Sequence, residues 1–268
     1  MSAGAGLTPA AVLAEGGAAS LVRQSALLAG RNLRVALSVP TIVGMVVSPL
    51  LFYFGFLAVF RKMFQAQGID FGQYLPPAIV VMWATFTAVS AAVLLSRDRR
   101  GGMLARLRSM PVHGGAVVTA RLASDGVRAL ISICAVIAAA HLTGFRFATG
   151  PLGAAAFVLL ALAFLLVLSL GTGAAGLAAT QPEAIGATLH MPAMPLLMLS
   201  TAFAPAASFP FWLRPVVELS PVSAIVDALR AVADGTGLAG ALLRAGVWLV
   251  VLLLIFSRAA TRAYRRAT

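Results

Sequence analysis

Charged residues fall in clusters along this chain, and long apolar runs separate the clusters. Between Arg34 and Arg61 lie 26 residues without a charge, and between Asp70 and Arg97 another 26. A bilayer offers no water to backbone N–H and C=O groups, so an apolar run of about 20 residues reads as a spanning helix that pairs them internally. These intervals predict crossings over about 38–60 and 74–96. From Val117 to His141 the chain is apolar apart from Arg121, Asp125 and Arg128, which share one helix face, and a third crossing is expected over about 116–141. Thirty-six uncharged residues between Arg146 and Glu183 supply a fourth over about 152–178, after a turn at Gly150-Pro151. Thirty more, between Glu183 and Arg214, supply a fifth over about 184–204, with Pro192 and Pro195 inside it. The last run predicts a sixth over about 238–257, where Arg244 snorkels to the interface.

Composition agrees. Of 268 residues, 60% are hydrophobic and 10% charged, with a mean hydropathy of +0.97. A soluble domain carries roughly a quarter of its residues as charges. The fold class expected is an all-α polytopic membrane protein with six transmembrane helices. A transmembrane domain is expected over 20–260, between a disordered 1–19 and a basic tail over 261–268. The first nineteen residues lack a basic n-region and do not read as a cleavable signal. Residues Leu21 to Leu37 place Arg23, Arg31 and Arg34 within an arc of roughly 80°. That pattern fits either an interfacial helix or a simple basic flank.

The net charge of +12 follows from topology. With six crossings, thirteen bases flank one side of the membrane and six the other, with Arg128 inside the third crossing. The positive-inside rule then puts both termini and the 97–116 loop in the cytoplasm of a cell-membrane protein. Nucleic-acid binding is not expected, because the arginines are divided among membrane flanks and form no basic platform with aromatic residues. Lys62 is the only lysine and follows Arg61, so a phosphate-binding Gly-Lys-Ser/Thr loop is excluded. Cys134, His113, His141 and His190 are scattered and offer no metal-ligand spacing.

Two segments outside the crossings stand out. In 96–112, Met103, Leu107 and Met110 recur at i, i+4 and i+7 beside Leu104, with Arg99, Arg106 and Arg108 on other faces and Pro111 ending the run. This short amphipathic helix needs a partner for its apolar side, either the bilayer surface or a groove on another protein. After the fifth crossing, Phe209, Pro210, Trp212 and Arg214 precede Ser220-Pro221, an N-cap with proline at the first helical position. A helix of about three turns is expected there. Arg214 with Glu218, and Asp227 with Arg230, have the spacing to pair. So apolar a stretch, with four prolines, reads as short helices re-entering the outer leaflet.

Arg-Arg-Gly-Gly-Met-Leu-Ala-Arg-Leu-Arg-Ser-Met-Pro-Val (99–112) after the second crossing is one half of a pairing. The other half, after the fifth, is Leu-Ser-Thr-Ala-Phe (199–203), Phe-Pro-Phe-Trp-Leu-Arg-Pro (209–215), Ser-Pro-Val-Ser (220–223) and Asp-Ala-Leu-Arg (227–230). Together they resemble the permease subunits of ABC-2 type exporters over roughly 20–260. Gly-Phe-Arg-Phe (144–147) and His113 resemble the daunorubicin-resistance branch, which includes antibiotic and lipid exporters. The resemblance implies that the first segment is a coupling helix docking into a separate ATPase. Its face maps to Met103, Leu104, Leu107 and Met110, ended by Pro111, with Arg99, Arg106 and Arg108 as polar contacts. It implies that the second segment caps the path, with Phe209, Pro210, Trp212, Arg214, Pro221, Asp227 and Arg230 as gate residues. This chain departs from the family pattern at Asp98, Gly102, Ala105 and Ala224.

The expected function is therefore export of a hydrophobic or amphipathic substrate (drug, antibiotic or lipid) by a permease that is not itself an enzyme and binds no cofactor. ATP and Mg belong to the partner ATPase, expected in two copies, beside a second permease that is either another copy or a homologue. Phe52, Phe56, Trp83, Phe86, Met194 and Met198 are candidates to line the substrate path, with lipid-facing or interhelical packing as the alternative for each. Arg121, Asp125 and Arg128 read as a gating network or as local neutralisation. A proton-driven efflux carrier is the alternative function. An intramembrane enzyme lacks its paired catalytic residues.

Overall fold

The computed structural model describes residues 39–101, 114–179 and 181–267. Regular structure among them is helical: α1 (Val39–Gln65), α2 (Phe71–Arg100), α3 (Gly114–Leu142), α4 (Gly150–Ala178), α5 (Pro182–Met198), α6 (Arg214–Leu219), α7 (Pro221–Asp234) and α8 (Leu238–Ala267). A single 3-10 turn, Ala206–Ser208, lies between α5 and α6. The tail, the segment Leu21 to Leu37, and the coupling residues Met103, Leu104, Arg106, Leu107, Arg108, Met110 and Pro111 lie outside the described residues.

Among the described residues, five helices are long and apolar enough to cross a membrane, over Ile42–Gln65, Phe71–Arg100, Thr119–Leu142, Gly150–Ala178 and Leu238–Ala263. The segment read as the fifth of six crossings differs from expectation. It forms α5, only 17 residues long, and the expected last stretch, 199–204, is not helical. Its backbone is drawn instead toward α7, where Thr201 N donates to Ser223 Oγ at 3.0 Å. Pro192 and Pro195 each remove a donor from the helical ladder just before that departure.

The ends are set by local chemistry. Asp70 Oδ1 accepts from Gly72 N at 3.0 Å and starts α2, while Arg97, Arg99 and Arg100 sit in its last turn, where cations complement the helix dipole. Ser220 occupies the N-cap position of α7 with Pro221 behind it, as expected, yet its hydroxyl makes no capping bond. Gly235, at φ +75°, closes α7 in the left-handed conformation that favours glycine.

Helix α2 is the axis of the bundle, packing against α1, α3, α4, α5 and α7. Its closest neighbour is α4, whose Gly176 lets the two backbones meet. A Cβ there would stand 2.5 Å from the Ala92 carbonyl oxygen. Small residues at helix crossings serve this purpose in membranes, where packing replaces the hydrophobic effect between helices. Helix α8 rests one side on α4 and α7 and leaves Leu243, Val247, Val250 and Leu254 exposed, as a lipid-facing helix would.

Candidate functional site: an aromatic face beneath an outer cap

Because α2 is surrounded on its other sides, its partly exposed strip runs along Trp83, Phe86 and Ser90 toward Leu94. Helix α1 flanks this strip on one side and α5 on the other. Aromatic rings cross it in a row: Phe52 of α1 lies 5.6 Å from Trp83, Trp83 5.4 Å from Phe86, and Phe86 5.3 Å from the His190 ring of α5. Along α1, Phe52, Phe56 and Phe60 stack at 6.4 and 5.6 Å, and Phe56 lies 4.9 Å from Phe203, just past α5. Gly55, lacking a side chain, opens a notch of about 360 Å³ lined by Leu51, Phe52, Phe56, Val59 and Phe60. Four of the six residues read as path-lining, Phe52, Phe56, Trp83 and Phe86, are thus contiguous. Met194 and Met198 stand one and two turns beyond His190 on α5, both exposed.

At the end of the strip where α2 begins, Tyr74 is the floor of a polar cluster. The Arg230 guanidinium lies 3.5 Å over its ring and donates to the carbonyls of Thr201 and Ala202 at 2.8 Å each and of Tyr74 at 3.2 Å. Asp227 accepts from Thr201 Oγ1 at 2.7 Å and from Arg244 at 3.0 Å, and pairs with Arg230 at 3.5 Å. Tyr74 donates its own hydroxyl proton to the Thr201 carbonyl at 2.7 Å. Nearby, Gln73 receives the Arg146 N–H at 3.0 Å and donates to the Arg146 carbonyl at 2.9 Å and to Asp234 at 2.7 Å. This clamps the Gly-Phe-Arg-Phe segment between α2 and α7, with Phe145 buried beneath it against Phe157.

The expected gate residues divide into two groups. Asp227 and Arg230 join this cluster on α7, the helix that Pro221 opens. Phe209, Pro210, Trp212 and Arg214 form a separate lobe in which Phe211 is 81% and Trp212 65% exposed. The anticipated Arg214–Glu218 pair does not form. Arg214 turns back instead to the carbonyls of Ala207 and Phe209, at 3.0 and 2.9 Å, which tightens the turn before α6.

Toward the opposite end, Asp125 is 2% exposed and pairs with Arg128 at 3.7 Å. Arg99, the one coupling residue that is described, donates to the Leu177 carbonyl at the end of α4. Arg100 meets Glu183 of α5 at 3.8 Å across solvent-exposed surface. Arg244, Tyr74, Gln73 and Thr201 were not singled out from the sequence as site residues. Each acts through a partner far along the chain; Arg244, a lone charge inside an apolar run, and Thr201, within the Leu-Ser-Thr-Ala-Phe motif, carried a signal.

These features define a multi-pass membrane protein with a partly exposed aromatic face along one side of the bundle and a polar cluster at one end of it. The chain belongs to the ABC-2 type transporter family, whose profile matches residues 23–233. It is 27% identical over 216 residues to the daunorubicin resistance ABC transporter permease protein DrrB1 of Streptomyces coeruleorubidus, covering 81% of this chain and 74% of that one. To the probable doxorubicin resistance ABC transporter permease protein DrrC of Mycobacterium tuberculosis it is 26% identical over 229 residues, covering 85% and 83%. The doxorubicin resistance permease DrrB of the same organism is 25% identical over 197 residues, covering 70% and 68%. The chain is accordingly a transport subunit and not an enzyme. Permeases of this family work with an ABC ATPase and as permease pairs, which displaces the proton-driven carrier as a reading.

Proposed function

We propose that this chain forms the membrane path of an exporter that moves a hydrophobic or amphipathic compound (a drug, an antibiotic or a lipid) out of the cell across its membrane. ATP and Mg are bound and hydrolysed on a pair of partner ATPase subunits, and the second permease is another copy or a homologue. This chain holds no cofactor of its own. Helix α5 is the fifth of six crossings, and both termini lie in the cytoplasm with the 97–116 loop. The relatives named for daunorubicin and doxorubicin resistance support a drug-like cargo.

One observation carries the reading. The 30 residues of α2 amount to a rod of roughly 45 Å at 1.5 Å per residue. Its outer turn holds the cap through Gln73 and Tyr74, its middle carries the aromatic strip, and its inner end leads directly into the coupling segment. Closure of the ATPase pair on ATP pulls on 98–112, where Met103, Leu104, Leu107 and Met110 dock in an ATPase groove and Arg99, Arg106 and Arg108 make polar contacts. The rod passes the displacement to the face and cap together. ATP binding and hydrolysis thereby bias a two-state bundle. Phe52, Phe56, Trp83 and Phe86, with Met194 and Met198 beside them, bind the cargo by stacking and soft apolar contact. The lobe of Phe209, Pro210, Trp212 and Arg214 re-enters the outer leaflet and, with α7, gates release.

Co-purification tests the coupling half: Leu107→Asp is expected to abolish recovery of the ATPase with the permease while the permease stays folded in detergent. Undiminished recovery would reject the docking face. ATP-dependent uptake of doxorubicin into inverted vesicles holding the whole complex tests the transport half.

A further inference from the structure

His190 contributes a polar group to a row of otherwise apolar rings, and its own hydrogen bond defines that group. Its Nδ1 lies 2.9 Å from the Gly186 carbonyl, one helical turn back. A carbonyl oxygen only accepts, so Nδ1 carries the proton. In the neutral ring Nε2 is then left as an acceptor. No hydrogen-bond partner holds Nε2 among the described residues, and the ring is half-buried against Phe86. Hydroxyl protons on the neighbouring stretch of α2 are turned to their own helix: Ser90 donates to the Phe86 carbonyl at 2.9 Å and Thr85 to that of Val81 at 2.9 Å. Among the rings of the aromatic row, His190 offers a side-chain nitrogen acceptor whose protonation is set by its bond to Gly186.

We propose that His190 is a specificity-determining residue for cargo: its Nε2 accepts a hydrogen bond from a hydroxyl or amine on an aromatic compound stacked along Phe86 and Trp83. The inference rests on the reading of this face as the cargo path, and names the chemistry the path selects. An apolar pocket discriminates weakly between similar ring systems, whereas a fixed acceptor in an apolar setting favours a ligand that brings a donor. A net hydrogen bond of this kind is worth about a fivefold difference in affinity.

The test uses the full complex in lipid nanodiscs with two matched probes, 1-hydroxypyrene and 1-methoxypyrene, and reads the ratio of their Kd values after correction for partition into empty nanodiscs. The native chain is expected to favour the hydroxyl compound about fivefold. His190→Phe, which keeps a ring against Phe86, should remove that preference and leave 1-methoxypyrene binding unchanged. His190→Asn, which preserves a donor toward Gly186 but puts no acceptor at the Nε2 position, should remove it as well. His190→Gln, which reaches that position, should restore part of it. Equal affinities in the native complex, no binding of either probe, or a preference that survives His190→Phe overturns the assignment. ATP-driven movement of both probes without a preference rejects the subsite and leaves export standing. A His190-dependent preference in binding, with no ATP-driven movement, rejects export and leaves the subsite standing.

Discussion

The two ends of the bundle treat their buried polar groups differently. At the end where α2 begins and α7 packs, Arg230, Asp227, Tyr74 and Thr201 satisfy one another, and the Arg230 fork makes three carbonyl bonds besides its stack on Tyr74. Toward the other end, Nε of Arg128 and the hydroxyl of Ser96 are buried without partners among the described residues; at the α7 end the Ser220 hydroxyl, outside the cluster, is left the same way. The outer cluster is a complete network, of the sort that fixes one arrangement of its elements. The group around Arg128 and Ser96 is less fully connected among the described residues, and in a low dielectric an unpartnered polar atom costs free energy. A transporter that converts a pull at its inner end into a change along its length benefits from this division.

The contrast can be broken most directly at Arg230. Arg230→Ala removes the hub and leaves Asp227 with Thr201 and the half-exposed Arg244, and is expected to lower stability by about 3–5 kcal/mol in equilibrium unfolding from mixed micelles. A loss below about 1 kcal/mol would show that the cap is not a cooperative network. Next in size is Asp125→Leu, which strands the Arg128 charge and should cost about 1–3 kcal/mol. The double variant Asp125→Leu with Arg128→Leu should recover most of that loss, because replacing both members of a half-satisfied pair by apolar groups is often neutral. Failure to recover would mean that the inner pair supports the bundle as the outer one does. The smallest effect is expected at Arg244→Ala. Its side chain is half exposed, so the 3.0 Å contact to Asp227 is worth about 0–1 kcal/mol and should weaken with added salt.

The same contrast explains how much could be read without coordinates. Charge-free intervals locate the long helices well, because lipid punishes an unpaired backbone wherever it occurs. The position of α7 was legible from Ser220-Pro221, and the Asp227–Arg230 pair from its spacing, since both are local. The end of α5 was not, because Ser223 of α7 draws the backbone away at Thr201, and no neighbour in the sequence announces that. Phe52, Phe56, Trp83 and Phe86 were legible as aromatic residues on the first two crossings. That they meet in a row ending at His190 depends on how α1 and α5 flank α2, a tertiary fact. Arg214 misled for a related reason: correct spacing to Glu218 lost to two nearer carbonyls.

The grip of Gln73 has a consequence for how the protein is made. Its amide group holds Arg146 and Asp234 at once, residues separated from it by 73 and 161 positions in the chain. When the second helix leaves the ribosome, neither partner exists. Closure of this clamp must wait until α7 has been synthesised, so the last third of the polypeptide completes a lock begun by the first. A nascent chain stopped short of Asp234 should accordingly be a preferred substrate for membrane quality-control proteases, even though its early crossings are already inserted.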